Sequence, residues 1–140
     1  MYSKIMVPVD LAHVEKLTKS LNTAITMARQ HNATICYVAV SATAPSAVAH
    51  STKELQEKLK AFAEEQGQRH DISAVAKVIE TSDPSVELDK RLLNAIDECQ
   101  ADLVVMASHV PGVADRLHLM SSNGGDIAKH AKVSVFVVRE

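Results

Sequence analysis

Aromatic residues are nearly missing from this chain. It has no tryptophan, two phenylalanines and two tyrosines in 140 residues, so Val, Ile, Leu, Ala and Met must fill the core. Cysteine is scarce too. Cys36 and Cys99 are too few and too far apart to form the disulfide framework of a small secreted domain, and a reduced, cytoplasmic protein is expected. Neither sign of charge dominates. The net charge is −2 and no basic stripe runs along the chain, which leaves no electrostatic footprint for nucleic acid. No apolar run approaches the ~20 residues needed to span a bilayer, so no membrane partner is expected. The opening MYSKIMVPVD goes straight into a strand-like run, without the charged region, apolar segment and cleavage site of a signal peptide. Glycine, at four residues, builds neither a G-x-G-x-x-G fingerprint nor a Walker lysine motif, and there is no G-x-S-x-G elbow. Of the seven histidines, His109, His118 and His130 fall at no compact ligand spacing, and no cysteine accompanies them. No metal site is expected.

What the chain does have is an alternation of two periods. Lys4 to Val9, Ala33 to Val40, Ser73 to Glu80, Asp102 to Ala107 and Val133 to Val138 are short runs rich in strand formers. The first shows little alternation, as a strand buried on both faces does. Pro8 cannot donate to a ladder and should lie near that strand's end. The third run alternates in part and should lie nearer an edge. Between them the spacing turns helical. Leu17, Leu21, Ala24, Ile25 and Ala28 recur at i, i+4, i+7, i+8 and i+11, and Leu88, Leu92, Ala95, Ile96 and Cys99 repeat the pattern. Cys99 therefore reads as core. Asn32 suits a left-handed helix end, and Asp83-Pro84 suits a helix start. A second helix is expected from Ser51, with Glu54 at capping-box spacing, to about Gln66, with Gly67 ending it. Ser41 to His50 reads as a loop. Strands alternating with helices in one domain predict an α/β fold with a mainly parallel sheet, helices on both faces and right-handed crossovers.

The candidate site gathers at the ends of strands. Asp10 follows the first strand, where open α/β sheets place ligands; it equally suits a cap for the next helix. His109 follows the fourth strand. Ser121-Ser122-Asn123-Gly124-Gly125 opens a short helix running from about Ser122 to His130. Free N–H groups and the positive end of a helix dipole bind phosphate in such a place, although any helix wants Ser or Asn at its N-cap. Nothing supplies a catalytic constellation, and no vigorous enzyme is expected.

The opening KIMVPVD, the Ser82-Asp83-Pro84 turn, ADLVVMASH and the closing SSNGGDIAKHAKVSVFVVR together resemble the universal stress proteins over essentially the full length. The last two segments are most similar to a subgroup with Ala-Ser-His followed by proline after strand four and Ser-Asn at the last helix. The resemblance implies a doubly wound, Rossmann-like, five-stranded parallel sheet of order 3-2-1-4-5 with four helices. It implies ATP or another adenine nucleotide as cofactor, with or without magnesium, in a stress-response switch. It carries over Pro8, Val9, Asp10, Val40 and Met106 to the adenosine pocket, and Ala107, His109, Ser121, Ser122 and Asn123 to the phosphates. It also implies a homodimer through the last strand, Val133 to Val138, whose apolar edge pairing would cover. One feature departs from the family. Its nucleotide signature of three glycines falls here on Ala107, Val110 and Ser121, with only the terminal hydroxyl, Ser122, kept and a spacer one residue longer. A Cβ at the third position crowds phosphate, although Gly112 and Gly124 lie close by. A dimeric interaction module that has lost its nucleotide is the alternative, and another anionic adenine ligand, such as AMP or a cyclic nucleotide, a third.

Overall fold

The computed structural model describes residues 1–41, 45–81, 84–108 and 123–139, with the side chains of 45–51, 84–86 and 123–126 outside the description. The strands are β1 (Lys4–Pro8), β2 (Thr34–Ser41), β3 (Ser73–Glu80), β4 (Leu103–Ala107) and β5 (Ser134–Val138). The helices are α1 (Thr18–His31), α2 (Pro45–His70), α3 (Pro84–Cys99) and α4 (Asn123–His130), and a 3₁₀ segment spans Leu11–Leu17. The sheet order is β3-β2-β1-β4-β5 with every pairing parallel. This is the doubly wound fold expected from the sequence.

Position in the sheet explains the strand patterns. β1 and β4 are central, and nearly every residue in them is buried; their unbroken apolar runs need cover on both faces. β3 and β5 lie at the edges and alternate. From β1 the chain winds outward through β2 to β3, then returns across β1 to β4 and β5. With right-handed crossovers, α1 and α2 cover one face and α3 and α4 the other. Adjacent residues of β2 mark the two faces, because side chains alternate along a strand. The Tyr37 ring packs edge-on against Phe62 of α2 at 5.0 Å. The Cys36 sulfur meets Cys99 of α3. Leu88, Leu92, Ala95, Ile96 and Cys99 are all buried, as their spacing requires, and each such leucine or isoleucine contributes about 1.5–3 kcal/mol.

Helix ends follow the sequence in α1 and depart from it in α2. Asn32 takes the left-handed conformation (φ 53°) and its N–H reaches the last carbonyls of α1. α2, however, starts at Pro45 and not at Ser51. Pro45 fits the first helical turn, where its missing N–H costs nothing; Ser51 then lies inside the helix, and its spacing to Glu54 caps no terminus. Gly67 does not end α2 either. Asp71 does so, at φ 53°. Gly67 answers a close approach, since a Cβ there would stand 3.0 Å from the Ile72 carbonyl oxygen. The helix after β1, expected from about Val14, is preceded by the 3₁₀ turn, kinked at His13 (φ −137°, ψ 37°).

A carboxylate closes the N-terminal edge of the sheet. Asp102, just before β4, accepts from the N–H of Ser3 (2.9 and 3.2 Å), the N–H of Lys4 (3.0 Å) and the Ser3 hydroxyl (3.1 Å). It thereby clips the start of β4 to the start of β1.

Candidate functional site

The opposite, C-terminal edge carries the candidate site, and one irregularity of the ladder shapes it. β1 pairs with β2 as far as Pro8–Val38, and β4 pairs with β5 as far as Ala107–Val138. Between β1 and β4 the pairing stops early, at Ile5–Leu103 and Met6–Val104. The two central strands therefore part over their last residues. Pro8 supplies a reason. Successive N–H groups of a strand point to alternate neighbours. The Val9 N–H goes to the Val38 carbonyl of β2 at 2.8 Å, so an N–H at Pro8 would aim at β4, and proline has none. This gap falls where the winding reverses, the place at which open α/β sheets hold ligands.

Val7, Pro8, Val9 and Asp10 form one lip of the crevice; Val105, Met106, Ala107 and Ser108 form the other. Val9, Met106 and Ala107 are each 1% exposed, so they wall the crevice from below and project little into it. Val40 is half-buried at the end of β2, in register with Ile79. Asp10 is the polar group at the lip, with its side chain 19% exposed. Its Oδ1 accepts the Ala12 N–H at 3.0 Å, capping the 3₁₀ turn, and its Oδ2 lies 2.8 Å from Nδ1 of His13. The capping role is thus realised. A carboxylate has about four lone-pair sites, so two remain for a ligand's donors. His13 was not legible as part of the site. Its signal is only an i,i+3 spacing from Asp10, and the kink at His13 itself turns the ring back to the carboxylate.

α4 begins at Asn123 on this same edge, as the connection from β4 requires. Of the residues assigned to phosphates, Ala107 closes β4 and Asn123 opens α4, while His109, Ser121 and Ser122 lie outside the described residues. Two other hydroxyls near the edge are already bonded: Ser41 with Thr52 at 3.1 Å, and Thr81 donating to Glu87 at 3.0 Å. Among the described residues no His, Cys, Asp or Glu cluster is fit for a metal, and no helix is long and apolar enough to cross a membrane. A polar cleft of about 660 Å³, lined by Arg29, Asn32 and Asp71 among others, opens at the other end of the molecule. Its polar groups serve two helix ends. Asn32 and Asp71 are the left-handed caps, and Arg29 donates to the His70 carbonyl at 2.6 and 2.9 Å.

A doubly wound parallel sheet with a crevice at its point of reversal defines a Rossmann-like α/β domain. The model of the Universal stress protein family matches residues 1–139, and the chain belongs to that family. No curated protein matches it. Among solved structures it is similar to a universal stress protein family member from Burkholderia pseudomallei, at 22% identity and a TM-score of 0.68, covering 98% of this chain and 96% of that one. The Archaeoglobus fulgidus universal stress protein in complex with dAMP aligns at 16% identity and a TM-score of 0.70, covering 97% of each chain. An Arabidopsis thaliana family member with AMP bound aligns at 15% identity and a TM-score of 0.63, covering 99% of this chain and 92% of that one.

Proposed function

We propose that this universal stress protein binds an adenine nucleotide, ATP by preference, in the β1–β4 crevice and acts as a nucleotide-dependent switch in a cytoplasmic stress response. The observation that carries this reading is the early end of the β1–β4 pairing beside a half-buried carboxylate. Two relatives of the same fold hold dAMP and AMP. In this reading Asp10 accepts from a ribose hydroxyl or the adenine amino group. Its orientation is fixed beforehand by Ala12 and His13, which saves ordering entropy on binding. Val40 borders the adenosine end, and Pro8, Val9 and Met106 lie against the base. Ala107, His109, Ser121, Ser122 and Asn123 meet the phosphates and any magnesium, with the N-terminus of α4 contributing its free N–H groups. Ala107 replaces a glycine of the family signature at little cost, because its methyl group is packed in the core.

Replacing Ser122 and Asn123 together by glutamate tests the phosphate end. The expected result is loss of ATP binding with the melting temperature retained; unchanged affinity overturns the assignment. The second reading, a dimeric interaction module without nucleotide, is favoured by Val110 and Ser121 at glycine positions and by the β5 edge, where Phe136 is 44% exposed. Both readings include a homodimer formed through β5. Phe136→Lys should shift the protein to monomer in sedimentation, and a dimer unaffected by that change places the interface elsewhere.

A further inference from the structure

Cys36 and Cys99 are 63 positions apart in the chain, yet their sulfurs lie 2.6 Å from each other. Both are free thiols, 3% and 4% exposed. The backbone on each side is held. Cys36 sits in the parallel ladder between Met6 of β1 and Val75 of β3. Cys99 is the last residue of α3, whose end is fixed by left-handed Gln100 and by the Gln100 and Ala101 N–H groups bonded to Asp97 and Ile96 at 3.0 Å. An ion pair at 3.1 Å between Lys77 of β3 and Glu98 of α3 ties the same two layers next door. A disulfide needs sulfurs about 2.05 Å apart, and these two side chains already face each other across the layer boundary within bonding reach.

We propose that Cys36 and Cys99 are an oxidant-responsive dithiol, converted by peroxide to an intramolecular disulfide that fastens α3 to β2. The two thiols are unlike, as a reacting pair should be. The hydrogen bond between the two thiols lowers the pKa of Cys36; burial opposes this, and Lys4 and Lys77 assist. The same hydrogen bond, with burial, pushes Cys99 up. The Cys36 thiolate attacks one oxygen of hydrogen peroxide. The O–O bond breaks, hydroxide leaves with the bonding pair, and Cys36 becomes a sulfenic acid, oxidised by two electrons. The Cys99 sulfur then attacks the Cys36 sulfur. The S–S bond forms, the S–O bond breaks, and the departing hydroxide takes the Cys99 proton. Two thiols and one peroxide give one disulfide and two waters. A small dithiol reverses the bond by two exchanges. Deep burial selects the oxidant: peroxide is scarcely larger than water, whereas glutathione disulfide is excluded from the pair. The site lies in the first half of β2 and at the far end of α3, away from the nucleotide crevice, so it stands whether or not nucleotide binds.

The test uses the full chain, purified under reductant and then freed of it. It is treated with equimolar peroxide, denatured in an alkylating agent, and measured by intact mass and peptide mapping. The expected product is a monomeric chain lighter by two hydrogen atoms, with one linked peptide pair holding Cys36 and Cys99 and both thiols lost together. It should melt roughly 10 °C above the reduced form, as closure of a long loop implies, and dithiothreitol should reverse the change. Cys99→Ser should gain oxygen at Cys36 and form no link; if that variant does not fold, the wild-type mass and map decide. Both thiols still alkylating after treatment, oxygen added to each separately, or a link between two chains overturns the proposal.

Discussion

Replacing Asp102 by alanine removes one carboxylate and four hydrogen bonds, those from the Ser3 and Lys4 N–H groups and the Ser3 hydroxyl. A hydrogen bond to a charged group is worth about 1.5–3 kcal/mol net, but donors that water can reach recover much of that. Ser3 is exposed at the sheet's edge, so the four bonds together should contribute about 2 kcal/mol. For a chain of this size that is a fall in melting temperature of roughly 8 °C. The effect carries a pH signature. Burial raises the Asp102 pKa, but the Lys4 and Ser3 donors outweigh it and hold the group below its ordinary value of 3.8. A carboxylate lowered in the folded state stabilises the fold fully above its unfolded value, and that stability is lost as pH falls through the folded value. The gap between wild type and Asp102→Ala should therefore be full at pH 7 and close as the pH drops below about 4. Thermal melts by circular dichroism from pH 7 to pH 3 measure it. A gap of less than about 1 °C at pH 7, or one that widens in acid, refutes the reasoning.

Three further perturbations probe the core and the site. Tyr37 is fully buried and its hydroxyl has no hydrogen-bond partner among the described residues, so Tyr37→Phe should leave stability unchanged or raise it by up to ~1 kcal/mol; chemical denaturation showing a clear loss would reveal a partner for the hydroxyl. Gly67→Ala should not deliver the ~1 kcal/mol that helix propensity promises, because the new Cβ meets a backbone carbonyl at 3.0 Å; a full gain in the melting temperature would show that the Ile72 carbonyl moves aside freely. Asp10→Ala should lose a cap worth ~1 kcal/mol along with nucleotide binding. Asp10→Ser keeps a capping oxygen and should recover the stability without the binding, and parallel melts and calorimetry separate the two effects.

Element order was legible because each element's burial is local and periodic. β1 and β4 read as unbroken apolar runs since both their faces are covered, and α1 and α3 show their buried stripes directly. The start of α2 was not, because two start signals compete in SATAPSAVAHSTKE: Pro45 and the Ser51–Glu54 spacing are both good chemistry, and the helix takes the earlier. Gly67 misled for a related reason, since a glycine marks either a left-handed turn or a close contact, and only tertiary structure tells which. Asp10 was legible from its place after a strand, but its link to His13 depends on a kink. The parting of β1 from β4 is set by which neighbour the missing N–H of Pro8 faces, and the sequence alone does not hold that register.

The most direct measurement is of what the purified protein carries and rebinds. The protein is denatured, its small molecules are separated and identified, and ATP is titrated by calorimetry into the stripped chain. Nucleotide binding at the β1–β4 crevice predicts co-purified adenine nucleotide, or tight rebinding that Asp10→Ala abolishes. An empty protein that gives no heat with ATP, AMP or a cyclic nucleotide contradicts it and leaves the dimeric interaction module in its place.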